Sequence, residues 1–168
     1  MFGGWQSFYQ MTGEAAATLT GLLFLVVSLM SGRQVPSTSV GVKLFTTPTV
    51  FHLVSVLVVS ALALAPDGRG ESQNAIMIGW SLIGLVYAGV IAVRLSALPN
   101  PSHWSDFWWY GVGPALTYVA LAGATATAWV RAPHAAYLVA LCLMSLLILA
   151  IRNAWDLVTW IAPRRDGS

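Results

Sequence analysis

Residues 135–151 read AAYLVALCLMSLLILAI, a stretch with no charged side chain. An apolar run of about 17–25 residues crosses a hydrocarbon core ~30 Å thick as a single α-helix, at 1.5 Å per residue. A membrane β-strand would instead alternate polar and apolar side chains over about ten residues, and this run does not. The stretch therefore decides solvent and secondary structure together: helix, in lipid.

Working outward, four more segments have the same character. The five expected spans cover about 9–31, 44–65, 75–95, 107–130 and 135–161. Between them lie SGRQVPSTSVGVK, PDGRGESQN, ALPNPSHWS and RAPH, rich in the Gly, Pro and Ser that break helices and make turns. Links this short predict that successive spans run antiparallel. The expected fold is all-α: one domain over 1–168, a polytopic transmembrane bundle of about five helices. Pro114, just after a GVG triplet, is expected to kink or delay the fourth span.

Composition agrees. The 168 residues are 57% hydrophobic and 8% charged, with mean hydropathy +0.73. A soluble domain has about 45–50% apolar and about 25% charged residues. The net charge of +2 comes from few groups, and no basic, aromatic-interleaved groove points to nucleic acid. Cys142, the single cysteine, cannot form an intrachain disulfide and reads as a small apolar packing residue.

Orientation follows from Lys and Arg in the short links. Arg33, Lys43, Arg94, Arg164 and Arg165 fall on one side, and only Arg69 and Arg131 on the other. The N-terminus is therefore expected outside and the C-terminus in the cytoplasm. Trp5, Trp80, Trp104, Trp108, Trp109, Trp129 and Trp160 fall near expected span ends, as an interfacial aromatic belt requires. Helices in lipid associate through small residues and polar links. Three ladders of small residues suit that: Gly13, Ala17 and Gly21; Gly84, Ala88 and Ala92; Ala120, Ala124 and Ala128.

Five polar side chains inside these spans are the candidate site. Glu14 shares a helix face with Gln10, Thr18, Gly21 and Ser28, and sits either at the headgroup level or on an ion path. His52 lies eight residues after Leu44, roughly 12 Å into the membrane, with Thr49 and Ser55 completing a polar stripe. It is either a hydrogen-bonded packing residue or a proton relay. Arg152 and Asp156 stand four apart in IRNAWD and can pair, with Asn153 beside them. An unpaired Arg or Asp at mid-membrane costs about 2.5–3.5 kcal/mol. Helical side chains lean toward the N-terminus of their helix, so Arg152 leans into the membrane. A buried polar cluster near the depth of His52 is the favoured expectation. The competing one is that the span ends near Ile151 and these groups lie at the interface.

Two stretches, GEAAATLTGLLFLVVSL (13–29) and RNAWDLV (152–158), resemble a broad group of small, largely uncharacterised bacterial polytopic inner-membrane proteins, some labelled modulators of a membrane protease. The resemblance covers about 25 of the 168 residues and implies location in a bacterial inner membrane. It brings no catalytic residues.

No P-loop, GxSxG or HExxH motif occurs, and no HxxxH, ExxH or carboxylate cluster offers a metal site. His103 and His134 fall in links at opposite faces, so no second imidazole faces His52 to hold haem. No cofactor is expected, and an enzyme is the weakest class. The first expectation is an ion- or proton-conducting bundle, with Glu14, His52, Arg152, Asn153 and Asp156 at different depths, working as an oligomer or through a narrow water wire. Close behind it stands a non-catalytic subunit that scaffolds or modulates a larger membrane complex. An enzyme or carrier using His52 and Asp156 as base and orienter ranks last.

Overall fold

The computed structural model describes residues 4–31, 40–66, 70–97, 107–129 and 134–161. Five α-helices follow one another: α1 (Gln6–Ser31), α2 (Val40–Leu64), α3 (Gly70–Ser96), α4 (Gly113–Trp129) and α5 (Ala135–Ile161). A π-helical turn, Phe107–Val112, runs directly into α4, and no strand occurs among the described residues. Four helices are long and apolar enough to cross a membrane, over Gln6–Leu29, Thr47–Leu64, Glu71–Ser96 and Ala135–Thr159. At 17 residues α4 is short for a span, but the π turn extends it into one helical rod over 107–129. The links holding Arg33, Arg69, His103, Trp104, Arg131, Arg164 and Arg165 lie outside the described residues.

Helix ends depart from expectation by a few residues. α3 begins at Gly70 rather than near 75, with Glu71 in its first turn, where the positive end of the helix dipole favours a carboxylate. The Gln73 side-chain amide then donates to the Leu62 carbonyl at the end of α2, so the added turn ties the two helices together. The delay expected at Pro114 takes the form of the π turn that ends two residues before it. A proline has no N–H and clashes with the preceding turn, and a widened π turn relieves both conflicts.

Side-chain bonds fix which ends lie together. Thr12 on α1 meets Ser60 on α2 at 3.1 Å, and Tyr9 Oη donates to the Ala136 carbonyl of α5 at 2.9 Å. Tyr110 Oη donates to the Asn153 carbonyl at 3.1 Å. The starts of α1 and α5 therefore share one end of the bundle with the close of α2, while the π turn packs against the far part of α5. Gln6 and Ile161 therefore lie at opposite ends of the bundle.

α2 and α5 form the centre. Half of the α2 span and 56% of the α5 span are buried, against 17% for α1 and 28% for α3. Outer faces carry Leu22, Phe24, Ile83, Val86, Leu116, Val119, Leu141 and Ile148, side chains as apolar as lipid tails. Polar groups turn inward instead: Thr12, Thr49, His52, Ser55, Ser60, Ser81, Thr125 and Asn153 are all buried. Lipid leaves little hydrophobic gain between helices, so close contact and hydrogen bonds hold them.

The small-residue ladders divide accordingly. Gly84 and Ala88 are buried on the α3–α4 seam, and Gly111 of the π turn sits against Ala92. A Cβ on Gly84 would stand 2.4 Å from the Tyr118 ring, so only glycine admits that ring. In α1 the ladder splits: Gly13 packs on the Ser60 Cβ, while Ala17 and Gly21 are exposed. Trp80 also differs from expectation. With the longer α3 it lies well inside the helix, stacked on Phe51 at 6.1 Å.

The Thr12–Ser60 bond is a buried side-chain link between α1 and α2. In a double-mutant cycle with Thr12→Val and Ser60→Ala, read by denaturant unfolding in micelles, the coupling should be about 0.6 kcal/mol and at most about 1.7. Additive losses would mean that the bond holds nothing.

Candidate functional site

α2 presents Thr49, His52 and Ser55 at three-residue spacing, with Ser60 a further five residues on and about 140° around the helix; all four are 0% exposed. Thr49, His52 and Ser55 are the polar stripe expected around His52, and the fold turns it into the interior. Pro48 lies inside the same helix and is buried one residue before it.

At its middle His52 Nδ1 lies 3.0 Å from Tyr118 Oη on α4. Tyr118 Oη donates to Ser55 Oγ at 2.9 Å, and Ser55 Oγ donates to the Phe51 carbonyl at 2.8 Å. The carbonyl at the end of this series can only accept. Ser55 therefore spends its one proton on Phe51, and Tyr118 spends its proton on Ser55. The bond at Tyr118 Oη must then be donated by His52 Nδ1–H. That tautomer leaves the lone pair of His52 Nε2 pointing into the protein, and among the described residues Nε2 has no hydrogen-bond partner. Burying a polar atom without a partner costs about 1–3 kcal/mol. The indole N–H of Trp80 is likewise buried without a partner.

Aromatic rings enclose this group. Phe51 stacks on Tyr87 at 4.4 Å and on Trp80 at 6.1 Å, and its centroid is 6.2 Å from those of both His52 and Tyr118. The imidazole is therefore walled from lipid on the α3 side. Toward the end of the bundle where α1 starts, Ser60 lies beyond the stripe, in contact with Thr12.

Arg152, Asn153 and Asp156 form a second polar group at another level. Tyr110 binds the backbone of Asn153, whereas Tyr118, eight residues further along the same rod, binds His52. The two levels are thus on the order of 10 Å apart. Asn153 is fully buried, with its amide Nδ2 3.4 Å from the Trp109 carbonyl. Arg152 and Asp156 pair as their spacing suggests, but at 3.7 Å and with 37% and 39% of their side chains exposed. The Arg152 guanidinium also lies 4.0 Å from the Trp109 ring centroid, a cation–π contact. One of its nitrogens, Nη1, is buried without a partner. The expected grouping of Arg152 with Asn153 is present, half-buried, and does not include His52. Asp156 stands beside Arg152, away from the imidazole.

Glu14 stands apart from both. Its side chain is exposed on the outer side of α1 and accepts from Gln10 Nε2 at 2.9 Å. The five candidates thus occupy three places: the outside of α1, the core of α2, and the far half of α5. An apolar hollow of about 200 Å³ between α1 and α5, lined by Leu19, Leu23, Val26, Ala150 and Trp155, touches none of them. Among the described residues no three His, Cys, Asp or Glu side chains converge.

Sequence reasoning missed Tyr118, Trp109 and Tyr110. The available signal was Gly84, since a glycine in a lipid-facing helix marks a close approach, but the sequence cannot say what approaches. Comparison of the chain with protein-family models, with curated proteins and with solved structures returned no match.

Proposed function

We propose that the chain is a proton-conducting membrane bundle, oriented with its N-terminus outside and its C-terminus in the cytoplasm of a bacterial inner membrane. The observation that carries this reading is the buried series Thr49–His52–Ser55 on α2, joined to Tyr118, with the buried Ser60–Thr12 pair beyond it toward one end of the bundle. From Thr49 to Ser60 these groups cover roughly 16 Å of a ~30 Å core. Hydroxyls and an imidazole pass protons by exchanging hydrogen bonds. They form no cage of carboxylates or carbonyls to strip a hydrated cation, which favours the proton over other ions. Intramembrane ionisable groups are functional candidates by default.

The series also gives the steps. A proton taken up at His52 Nε2 is matched by release of the Nδ1 proton to Tyr118 Oη, which hands its own to Ser55 Oγ. Ser55 passes a proton on by turning from the Phe51 carbonyl toward water. Conduction by this route requires water to enter between Ser55 and Ser60 on one side and between His52 and Asn153 or Arg152 on the other.

The test is flux. Proteoliposomes given a pH gradient, with valinomycin and potassium to balance charge, should collapse it faster than protein-free vesicles, and His52→Ala should slow the collapse at least about tenfold, the loss typical of removing a proton-transfer group. Vesicles as tight with the wild-type protein as without it would defeat the proposal.

The second reading, a non-catalytic subunit of a larger complex, is favoured by one observation: Gln10 and Glu14 face outward from α1, where a partner would cover them. Cross-linking in native membranes would then recover a stoichiometric partner of different sequence.

A further inference from the structure

The buried apolar side chains of the described residues fall into two clusters. The larger takes in all five helices; on α3 it ends at Ala88, and on the rod 107–129 it begins with Ala115 and Tyr118. The smaller joins Ile91 and Leu95 of α3 to Tyr110 of the π turn, with Tyr87 and Trp109 packed against them. Gly111 fastens these two pieces to each other, since a Cβ there would stand 2.8 Å from that of Ala92. Residues 90–96 and Phe107–Val112 thus form one small body at the end of the bundle where α5 finishes.

Each helix that enters this body has a weak point at the boundary between the clusters. On α3 it is Gly89, between Ala88 and Ile91. A Cβ on Gly89 would meet nothing within 4 Å, so no close packing calls for glycine there, and glycine loosens a helix. On the rod it is Pro114, between Tyr110 and Tyr118. Proline supplies no N–H, so the Trp109 carbonyl, five residues back, lacks the donor that a continued π turn would give it. Helices bend sharply at such prolines and π turns.

α5 holds the body down. Tyr110 Oη donates to the Asn153 carbonyl at 3.1 Å, Asn153 Nδ2 lies 3.4 Å from the Trp109 carbonyl, and the Arg152 guanidinium lies 4.0 Å from the Trp109 ring centroid. Two atoms of the same residues work against this hold. Arg152 Nη1 and Asn153 Oδ1 are buried without a partner among the described residues, and both favour a form that lets water reach them. A shut form with three polar contacts is thus balanced against an open form that hydrates two unmet atoms.

We infer that 90–96 and Phe107–Val112 are a hinged lid that turns at Gly89 and Pro114, latches on Arg152 and Asn153, and on opening lets water pass them toward His52. What the lid controls rests on the proton-conducting reading; that it moves does not. The latched form is the closed one, and opening supplies the water that conduction requires between His52 and Asn153 or Arg152. Tyr118 lies on the far side of Pro114, so its bond to His52 stays in place while the lid swings.

Paired spin labels in the full-length protein in lipid vesicles, on a Cys142→Ala background, read the movement. Ser96→Cys at the end of α3 and Val86→Cys before Gly89 are each combined with Ile148→Cys on the outer face of α5; all three positions are exposed. A bend of about 20° at Gly89 carries Ser96, seven residues on, by roughly 4 Å. The 96–148 pair should therefore give two distances and the 86–148 pair one. Tyr110→Phe keeps the ring and removes one latch bond, so it should raise the ratio of open to closed about threefold, the effect of one interhelical hydrogen bond in a membrane. Gly89→Ala should lower that ratio. Proton flux should follow the open fraction, rising about threefold in Tyr110→Phe, whereas damage to the fold would not speed it. A single 96–148 distance that Tyr110→Phe leaves unchanged would overturn the lid. Two distances with a flux that ignores them would overturn its control of the proton line, and two distances in a protein that passes no protons would overturn conduction and leave the lid standing.

Discussion

Gly84→Leu should fail to fold into the native bundle, and Gly84→Ala should lose about 1–3 kcal/mol, the usual cost of forcing extra carbon into a packed interior. The first added carbon already stands 2.4 Å from Cε1 of Tyr118 and 2.5 Å from Cδ1. The ring cannot move aside cheaply, because its hydroxyl is held by both His52 and Ser55 and its ring lies against Phe51. Displacing it therefore opens the α3–α4 seam and the polar site together. Gly79 is the control: it sits on the exposed side of α3 with nothing within 4 Å of an added Cβ. Gly79→Ala should be neutral or slightly stabilising, because alanine forms helix better than glycine. Unfolding midpoints of the three variants in detergent measure this, and equal losses at 79 and 84 would remove the close approach as its cause.

Tyr118→Phe should retain the fold and lose the function. The ring still fills the space beside Gly84, but the hydroxyl that accepts from His52 and donates to Ser55 is gone. A buried donor and a buried acceptor are then short of partners, at a cost of about 1–3 kcal/mol. The route from imidazole to serine is broken as well, and proton flux should fall at least about tenfold, as for removal of the histidine. Tyr87→Phe provides the comparison. Tyr87 stacks on Phe51 at 4.4 Å, outside the hydrogen-bonded series, and its loss should leave flux near wild type. Equal flux in both variants would disconnect Tyr118 from conduction.

Much of the architecture was legible from length and hydropathy alone, because a span must hold about 20 apolar residues and a link must turn. Which way each helix faces was harder to read. In a soluble helix an apolar stripe marks the core, but here both sides of most helices are apolar, and only polar or small residues carry direction. On α2 they agree: Thr49, His52 and Ser55 lie together as one stripe, and it faces inward. On α1 there are two such lines, Thr12 with Gly13 on one side and Gln10 with Glu14 on the other, and nothing in the sequence says which one is inside. The ladder Gly13–Ala17–Gly21 mixes the two, so only its first member packs on α2.

The candidate site was half legible. The i,i+4 spacing of Arg152 and Asp156 gave their pairing, and His52, the histidine expected within a span, lies in the core. Their separation in depth did not follow, because it depends on where the rod 107–129 sets Tyr110 and Tyr118 against α5 and α2. Tyr118 carried no signal of its own among the alanines of α4. Its role comes from the glycine facing it on another helix, a long-range pairing that periodicity does not contain.

His52 is held inside the bundle as a donor through Nδ1, with an open lone pair at Nε2. Nitrogen-15 NMR of the histidine-labelled protein in lipid vesicles reads this directly. The expected spectrum has a His52 signal with the proton on Nδ1 and a coupling to the Tyr118 hydroxyl that is lost in Tyr118→Phe. A proton on Nε2, or a His52 ring exchanging freely with bulk water and indifferent to Tyr118, would contradict it.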